Sequence, residues 1–259
     1  MNFGISGKVA FITGSYRGTG AGIASSLSKE GAHVIVHGFE SGQTDDVVKK
    51  IRDRGGIATP IEADLLSEQG TSTLGKMLSE VDILVNCYGK PSNSSWSSIE
   101  RWAQEWEQNI LLGVKVTQAV LDGMKEREWG RIIFVGTAGV DKPSTHSPGY
   151  YGAKASLHTI IRTLAIELKG TGITTNLINP GMIATNEVKD MLTRAASKRD
   201  LSLDWENVER WAASTYAPNL TGRIPNPNDI GDIVTFLASE MAWYINGASI
   251  AVDGGSVDA

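Results

Sequence analysis

The sequence predicts a doubly wound α/β fold, a seven-stranded parallel sheet with helices on both faces, and three observations lead there. From Lys8 onward, short β-branched or apolar runs alternate with longer amphipathic stretches, which is how successive βα units look. The short runs are apolar almost throughout, as strands covered on both faces must be. A glycine-rich turn follows the first run directly and opens the first amphipathic stretch.

Strands are expected at Val9 to Ile12, His33 to Val36, Ile57 to Ile61, Val81 to Val85, Ile132 to Val135, Thr174 to Ile178 and Ser249 to Val252. Helices are expected between them near 20–30, 43–54, 68–79, 99–127, 149–169 and 228–239. No composition break, Pro/Ser-rich linker or internal repeat divides the chain, so residues 1–259 are expected to form one domain. The segment 184–226 departs from the βα rhythm and carries Trp205, Trp211 and Tyr216. Long inserts after a late strand of such a sheet are usually lids or binding loops.

Composition excludes several function classes. The 24 Lys+Arg against 29 Asp+Glu give a net charge of −5 with no dense basic block, which argues against nucleic acid and anionic membranes as partners. The single cysteine, Cys87, permits no intrachain disulfide or thiolate metal cage and fits a reducing compartment. The N-terminus has no basic n-region, and the run Val9 to Ile12 is far shorter than a signal h-region or a span of roughly 20 residues, so a cytoplasmic protein is expected. No metal site is expected: His33 and His37 lie roughly 13 Å apart along a strand, too far for one ion. Hydrolase readings lack a G-x-S-x-G nucleophile or an H-E-x-x-H metal motif. The sequons at Asn93 and Asn219 carry little weight without a signal peptide. Trp102 and Trp106 read as packing residues, and His146 as a surface loop histidine.

Two motifs carry chemistry. Thr13 to Gly20 places Gly14, Gly18 and Gly20 where a backbone can approach a pyrophosphate at a helix N-terminus. The triplet alone also fits a plain strand-to-helix turn. Tyr150 and Lys154 sit four apart at the start of an expected helix, on one face. An ammonium beside a phenol lowers the phenol pKa and suits it to proton transfer, although most such pairs on helices are surface pairs.

These motifs, with Asn86-Cys87-Tyr88-Gly89, Asn109 and Pro180-Gly181-Met182-Ile183-Ala184-Thr185 in order, resemble the short-chain dehydrogenase/reductase family. The likeness covers nearly the whole chain, through Val252-Asp253-Gly254-Gly255. It is nearest to the branch of 3-oxoacyl-carrier-protein reductases and secondary-alcohol dehydrogenases. The resemblance implies a Rossmann-type NAD(P)(H)-dependent enzyme that interconverts a ketone and a secondary alcohol by hydride transfer. In it, Tyr150 is the general acid or base, Lys154 lowers its pKa and holds the nicotinamide ribose, and Asn109 anchors a proton-relay water. Thr137 stands where the family usually has serine and orients the carbonyl oxygen.

The implied cofactor residues are Gly14, Ser15, Arg17, Gly18, Thr19 and Gly20 in the loop, and Asp64 and Leu65 after the third strand. Asn86 and Gly89 follow the fourth strand, Pro180, Gly181, Ile183 and Thr185 follow the sixth, and Tyr150 and Lys154 complete the set. Tyr88 replaces the family's usual Ala, and Thr19 its usual Ile or Leu. The second strand aligns Gly38 with the acidic residue that selects NAD, with Glu40 two residues on, while Arg17 stands where a basic residue meets a 2′-phosphate. NADP(H) is therefore favoured over NAD(H).

The family implies a homodimer or homotetramer in which the helices 99–127 and 149–169 pair across subunits. The expected substrate is a small carbonyl compound or alcohol, apolar or ring-containing beneath an aromatic lid. Two alternatives stay open. One is a 3-oxoacyl-carrier-protein reductase with Arg127, Arg131, Arg194, Lys198 and Arg199 as a docking patch. The other is a cofactor-sensing binding protein, which has no physical need of Tyr150, Lys154 and Asn109.

Overall fold

The computed structural model describes residues 2–67, 70, 74–92 and 94–256. Its strands are β1 (Val9–Ile12), β2 (His33–Gly38), β3 (Ile57–Glu62), β4 (Ile83–Asn86), β5 (Gly130–Val135), β6 (Ile173–Pro180) and β7 (Ser249–Val252). They form one seven-stranded parallel sheet in the order 3-2-1-4-5-6-7. Val9 of β1 lies beside His33 of β2, and Ala10 lies beside Ile83 of β4. The order reverses between β1 and β4, so a crevice for ligands opens there at the carboxyl ends of the strands. Pro60 is tolerated in β3 because β3 is an edge strand.

The helices are α1 (Gly18–Lys29), α2 (Asp45–Asp53), α3 (Gly75–Ser79), α4 (Ile99–Trp106), α5 (Leu112–Glu126), α6 (Pro148–Glu167), α7 (Asn186–Ser197), α8 (Trp205–Trp211) and α9 (Pro227–Ala238). Strand residues point alternately to two cores. Ala10, Ile12, Val34 and Val36 pack with Ile23 and Leu27 of α1 and Ile230 and Val234 of α9. Phe11, Ile35 and Leu84 pack on the other face with Val116 and Val120 of α5 and Leu157 and Ile161 of α6. This two-sided burial is why the strands read as continuous apolar runs.

Three expectations need correction. The helix expected over 99–127 is broken by a π-helical turn, Glu107–Leu111, in which Leu112 N donates to Glu107 O. The helix expected over 68–79 is described only as Gly75–Ser79, and residues 68, 69 and 71–73 lie outside the described residues, as does Asn93. The insert contains α7 and α8, the latter continued by a π-helical turn at Ala212–Tyr216. Thr185 and Asp204 cap these helices by accepting from Val188 N and Asn207 N. Leu192, Ala196, Val208, Ala212 and Ile224 give the insert a small core of its own. Among the described residues no helix is long and apolar enough to cross a membrane. Among the same residues, no group of three or more His, Cys, Asp or Glu side chains could hold a metal ion.

Candidate active site

At one end of the crevice the glycine loop is tied down by neutral hydrogen bonds. Thr13 Oγ1 accepts from Cys87 N and Tyr88 N, both at 3.0 Å. Gly14 N donates to His37 Nδ1 at 2.9 Å, so the ring proton sits on Nε2, which donates to Ala63 O at 2.9 Å. Burial pushes the His37 pKa down to about 4, and Phe11 and Phe39 meet the ring edge-on. The Ser15 hydroxyl donates to Ile12 O and accepts from His37 N, so it faces the body rather than the crevice.

The loop fits a dinucleotide. Gly14 and Gly18 have φ of +67° and +54°, which few other residues adopt. Arg17, at the N-cap of α1, makes no side-chain capping bond, leaving the first helical N–H groups for an anion. The Arg17 guanidinium instead reaches Glu187 of α7 at 3.1 Å. Thr19 and Gly20 lie in the first turn of α1. Asp64 is exposed and accepts from Leu66 N, whereas the Leu65 side chain is fully buried in the core. The Tyr88 ring leans on Phe39, with centroids 4.6 Å apart, and on Gly14. Thr185 faces Gly18 across the crevice. Pro180 ends β6, Gly181 N donates to Val252 O, and Ile183 is half-buried against the core around α1.

At the other end, Thr137 caps a short 3₁₀ turn, Ala138–Val140, and its Oγ1 accepts from Gly139 N at 3.1 Å. Tyr150 stands in the first turn of α6 behind Pro148, where the Thr137 hydroxyl favours its phenolate. Lys154, one turn on, is 4% exposed and donates from Nζ to Val135 O at 2.8 Å. Burial pushes the Lys154 pKa down to about 8.

The phenol behaves differently from the expectation that Lys154 lowers its pKa. Burial, then Tyr151 and Glu105, push Tyr150 up to about 12, and only the Thr137 hydroxyl pulls the other way. The low-dielectric surroundings disfavour phenolate and ammonium alike.

Asn109 lies in the π-helical turn, buried. Its Oδ1 accepts from Lys90 N, and its Nδ2 donates to Glu105 O and Glu105 Oε2, both at 2.9 Å. A side chain on Gly89 would begin 2.6 Å from Lys154 Nζ and 2.8 Å from Asn109 Oδ1, so these two atoms share one face of Gly89. Asn86 stands apart from this group: its Nδ2 donates to Thr117 Oγ1 and ties β4 to α5.

The family model for short chain dehydrogenases matches residues 8–196, a span that includes both ends of this crevice. The chain belongs to the short-chain dehydrogenase family. An uncharacterized oxidoreductase of Bacillus subtilis is 33% identical over 261 residues, covering 99% of this chain and 98% of that protein. The structure of L-sorbose reductase from Gluconobacter frateurii, complexed with NADPH and L-sorbose, has a TM-score of 0.89 and 29% identity, with 100% of both chains covered. A 7α-hydroxysteroid dehydrogenase complexed with NADH and 7-oxo glycochenodeoxycholic acid has a TM-score of 0.84 and 26% identity, covering 100% of this chain and 97% of that one. This short-chain dehydrogenase is an NAD(P)-dependent oxidoreductase that interconverts a ketone and a secondary alcohol.

Within this short-chain dehydrogenase, sequence reasoning missed Glu105, which is 1% exposed and accepts from Asn109 and Ser92. Its place four residues before Asn109 was the available signal. Thr13 and His37 were read without their roles as ties beneath the loop. Of the docking patch, Arg131 is buried against Trp129, and Arg127 pairs with Asp82 at 3.0 Å. Both lie near the start of β5, opposite the end that carries Thr137, so they cannot dock a carrier at the site. Trp106 is 38% exposed, and the sequon at Asn219 is used internally, its Oδ1 accepting from Thr221. Trp205 and Trp211 pack against the insert's own core, and of the three aromatics only Tyr216 is exposed.

Proposed function

We propose that Tyr150 protonates the carbonyl oxygen when a ketone is reduced, and takes the proton back in the reverse direction, while the Thr137 hydroxyl orients that oxygen. One observation carries this reading: Lys154, one turn on from Tyr150 in α6, and Asn109 bring Nζ and Oδ1 to one face of Gly89, so an ammonium and an amide oxygen stand together beside the phenol's helix. When bound, a reduced nicotinamide supplies the hydride that the carbonyl carbon takes up. As the phenolic O–H bond breaks, the alcohol O–H bond forms. Lys154 holds the nicotinamide ribose with the donors that Val135 O leaves free. Asn109 Oδ1 anchors the water that returns the proton.

NADP(H) is favoured over NAD(H) on the same reading. The end of β2 carries Gly38, where an added side chain would begin 2.9 Å from Gln43 Cβ, so no carboxylate stands there to repel a 2′-phosphate. Arg17 is exposed and can exchange Glu187 for that phosphate. Gly14, Gly18, Thr19, Gly20 and the Ser15 backbone cradle the pyrophosphate. Asp64 and Leu65 border the adenine. Asn86, Gly89, Pro180, Gly181, Ile183 and Thr185 line the remainder. The insert 184–226 closes as a lid over an apolar or ring-containing carbonyl compound, a reading supported by exposed Met191, Leu203 and Tyr216. Exposed Leu111 and Ile166 support pairing of the 99–127 and α6 helices in a homodimer or homotetramer.

A panel of ketones and secondary alcohols, followed by nicotinamide absorbance with both cofactors, tests the reading. Turnover with NADPH above NADH is expected. Cofactor binding with no turnover across the panel would instead make the protein a sensor.

A further inference from the structure

We infer that Glu105 is a positioning residue: together with the Lys90 backbone, its carboxylate fixes which way the Asn109 carboxamide faces, and it holds the strap from Gly89 to Ser92 against the site. The inference rests on the reading of Asn109 as the anchor of the proton relay. Glu105 lies on α4, 1% exposed, where a carboxylate is costly unless donors surround it. Three do. Ser92 N and Ser92 Oγ donate to Oε1 at 2.8 and 2.6 Å, and Asn109 Nδ2 donates to Oε2 at 2.9 Å.

An ionised carboxylate only accepts hydrogen bonds. Asn109 must therefore turn its NH₂ towards Glu105, and Oδ1 is left facing Lys90 N and the face of Gly89 that Lys154 Nζ also occupies. Backbone groups act in the same sense, since Nδ2 also donates to Glu105 O and Lys90 O while Oδ1 accepts from Lys90 N, and the carboxylate adds the charged acceptor that ties the amide to the Ser92 strap. Glu105 also packs against Gly149, just before Tyr150, so it spans the strap, the relay residue and the start of α6.

Glu105→Gln keeps the volume but brings an NH₂ group. If that group faces Asn109, two donors oppose each other. If it faces Ser92, the Ser92 backbone N–H loses its acceptor. If Asn109 flips instead, Lys90 N meets a donor.

The test compares the full-length wild-type enzyme with Glu105→Gln, Asn109→Ala and the double variant, by kcat and KM for an accepted ketone and for the reduced nicotinamide. Glu105→Gln is expected to lower kcat about tenfold with both KM values within about twofold, the signature of an interaction that acts in the reaction step. The double variant is expected to be no slower than Asn109→Ala alone, because two residues acting through one interaction do not add. A wild-type kcat in Glu105→Gln, a rise in KM alone, or an equal loss in the Asn109→Ala background would overturn the inference. A wild-type kcat in Asn109→Ala would overturn the relay reading itself, and the inference with it. Glu105→Met, apolar and of similar length, gives the same readout should the Gln variant fail to fold.

Discussion

The two ends of the crevice are built on opposite electrostatic plans. Beneath the glycine loop, Thr13, Ser15 and His37 are neutral, buried and paired, and the one titratable ring is held far from its charged form. Around the half-buried phenol of Tyr150, a carboxylic side chain, Glu105, and an amine, Lys154, are buried. Neutral pairs fix the shape of a binding surface without moving a proton. Buried ionisable groups cost stability but can be tuned to exchange protons. Changes at the nucleotide end should therefore appear in stability and cofactor affinity, and changes at the catalytic end in turnover.

The largest expected effect tests the catalytic side of this contrast. Tyr150→Phe keeps the ring and removes the proton, so turnover should fall by roughly 10²- to 10⁴-fold. Cofactor affinity, measured by titration, should stay within about twofold. Near-normal turnover would remove the catalytic assignment.

His37 tests the other side. Its folded pKa of about 4 lies below the ordinary 6.5, so between these values the unfolded chain binds a proton that the folded chain refuses. The stability that depends on a neutral His37 is thus complete above pH 6.5 and lost as pH falls towards 4. The full difference is on the order of 3 kcal/mol. His37→Gln can accept from Gly14 N and donate to Ala63 O without titrating. Denaturant midpoints at pH 7 and pH 4.5 should therefore move less in this variant than in the wild type, and an equal movement in both would show that His37 is not the group that titrates.

What the sequence left hidden follows from the same physics. The strands were legible because two-sided burial leaves them apolar from end to end, and Tyr150 with Lys154 because their spacing defines a helix face. Glu105 was not, because a carboxylate on an amphipathic helix ordinarily reads as its wet side. The π-helical turn at Asn109 adds a residue per turn with no compositional mark. In the insert, the buried faces of α7, α8 and the π-helical turn after it consist largely of Leu192, Ala196, Val208, Ala212 and Ala213, so small a stripe that the tryptophans dominated the reading. The high Tyr150 pKa depends on burial first, then on Tyr151 and Glu105, and spacing reveals neither the burial nor the reach of Glu105.

Thr137 offers a smaller, sharper test of the catalytic end. Thr137→Ser retains the hydroxyl and should stay near wild-type turnover. Thr137→Val loses it at similar volume and should fall about tenfold, the worth of one hydrogen bond near 1.4 kcal/mol. Equal rates in the two variants would show the hydroxyl to be idle.

The smallest expected effect sits where the two plans meet. Arg17 leaves the glycine loop to pair with Glu187 on the insert, and both side chains are more than half exposed, at 58% and 55%. Such a pair contributes about 0.2–1 kcal/mol, which a dianionic 2′-phosphate can outbid through charge-assisted bonds. NADPH binding should therefore cost the enzyme this bridge, whereas NADH offers Arg17 no replacement. Glu187→Gln frees the guanidinium and should tighten NADPH by roughly two- to fivefold while leaving NADH unchanged. Arg17→Ala should weaken NADPH alone, and added salt should shrink both differences, since the groups face solvent. A native preference for NADH would break the scheme at its root: Glu40 or another acceptor would then hold the ribose, and Gly38 would not be the residue that sets the choice.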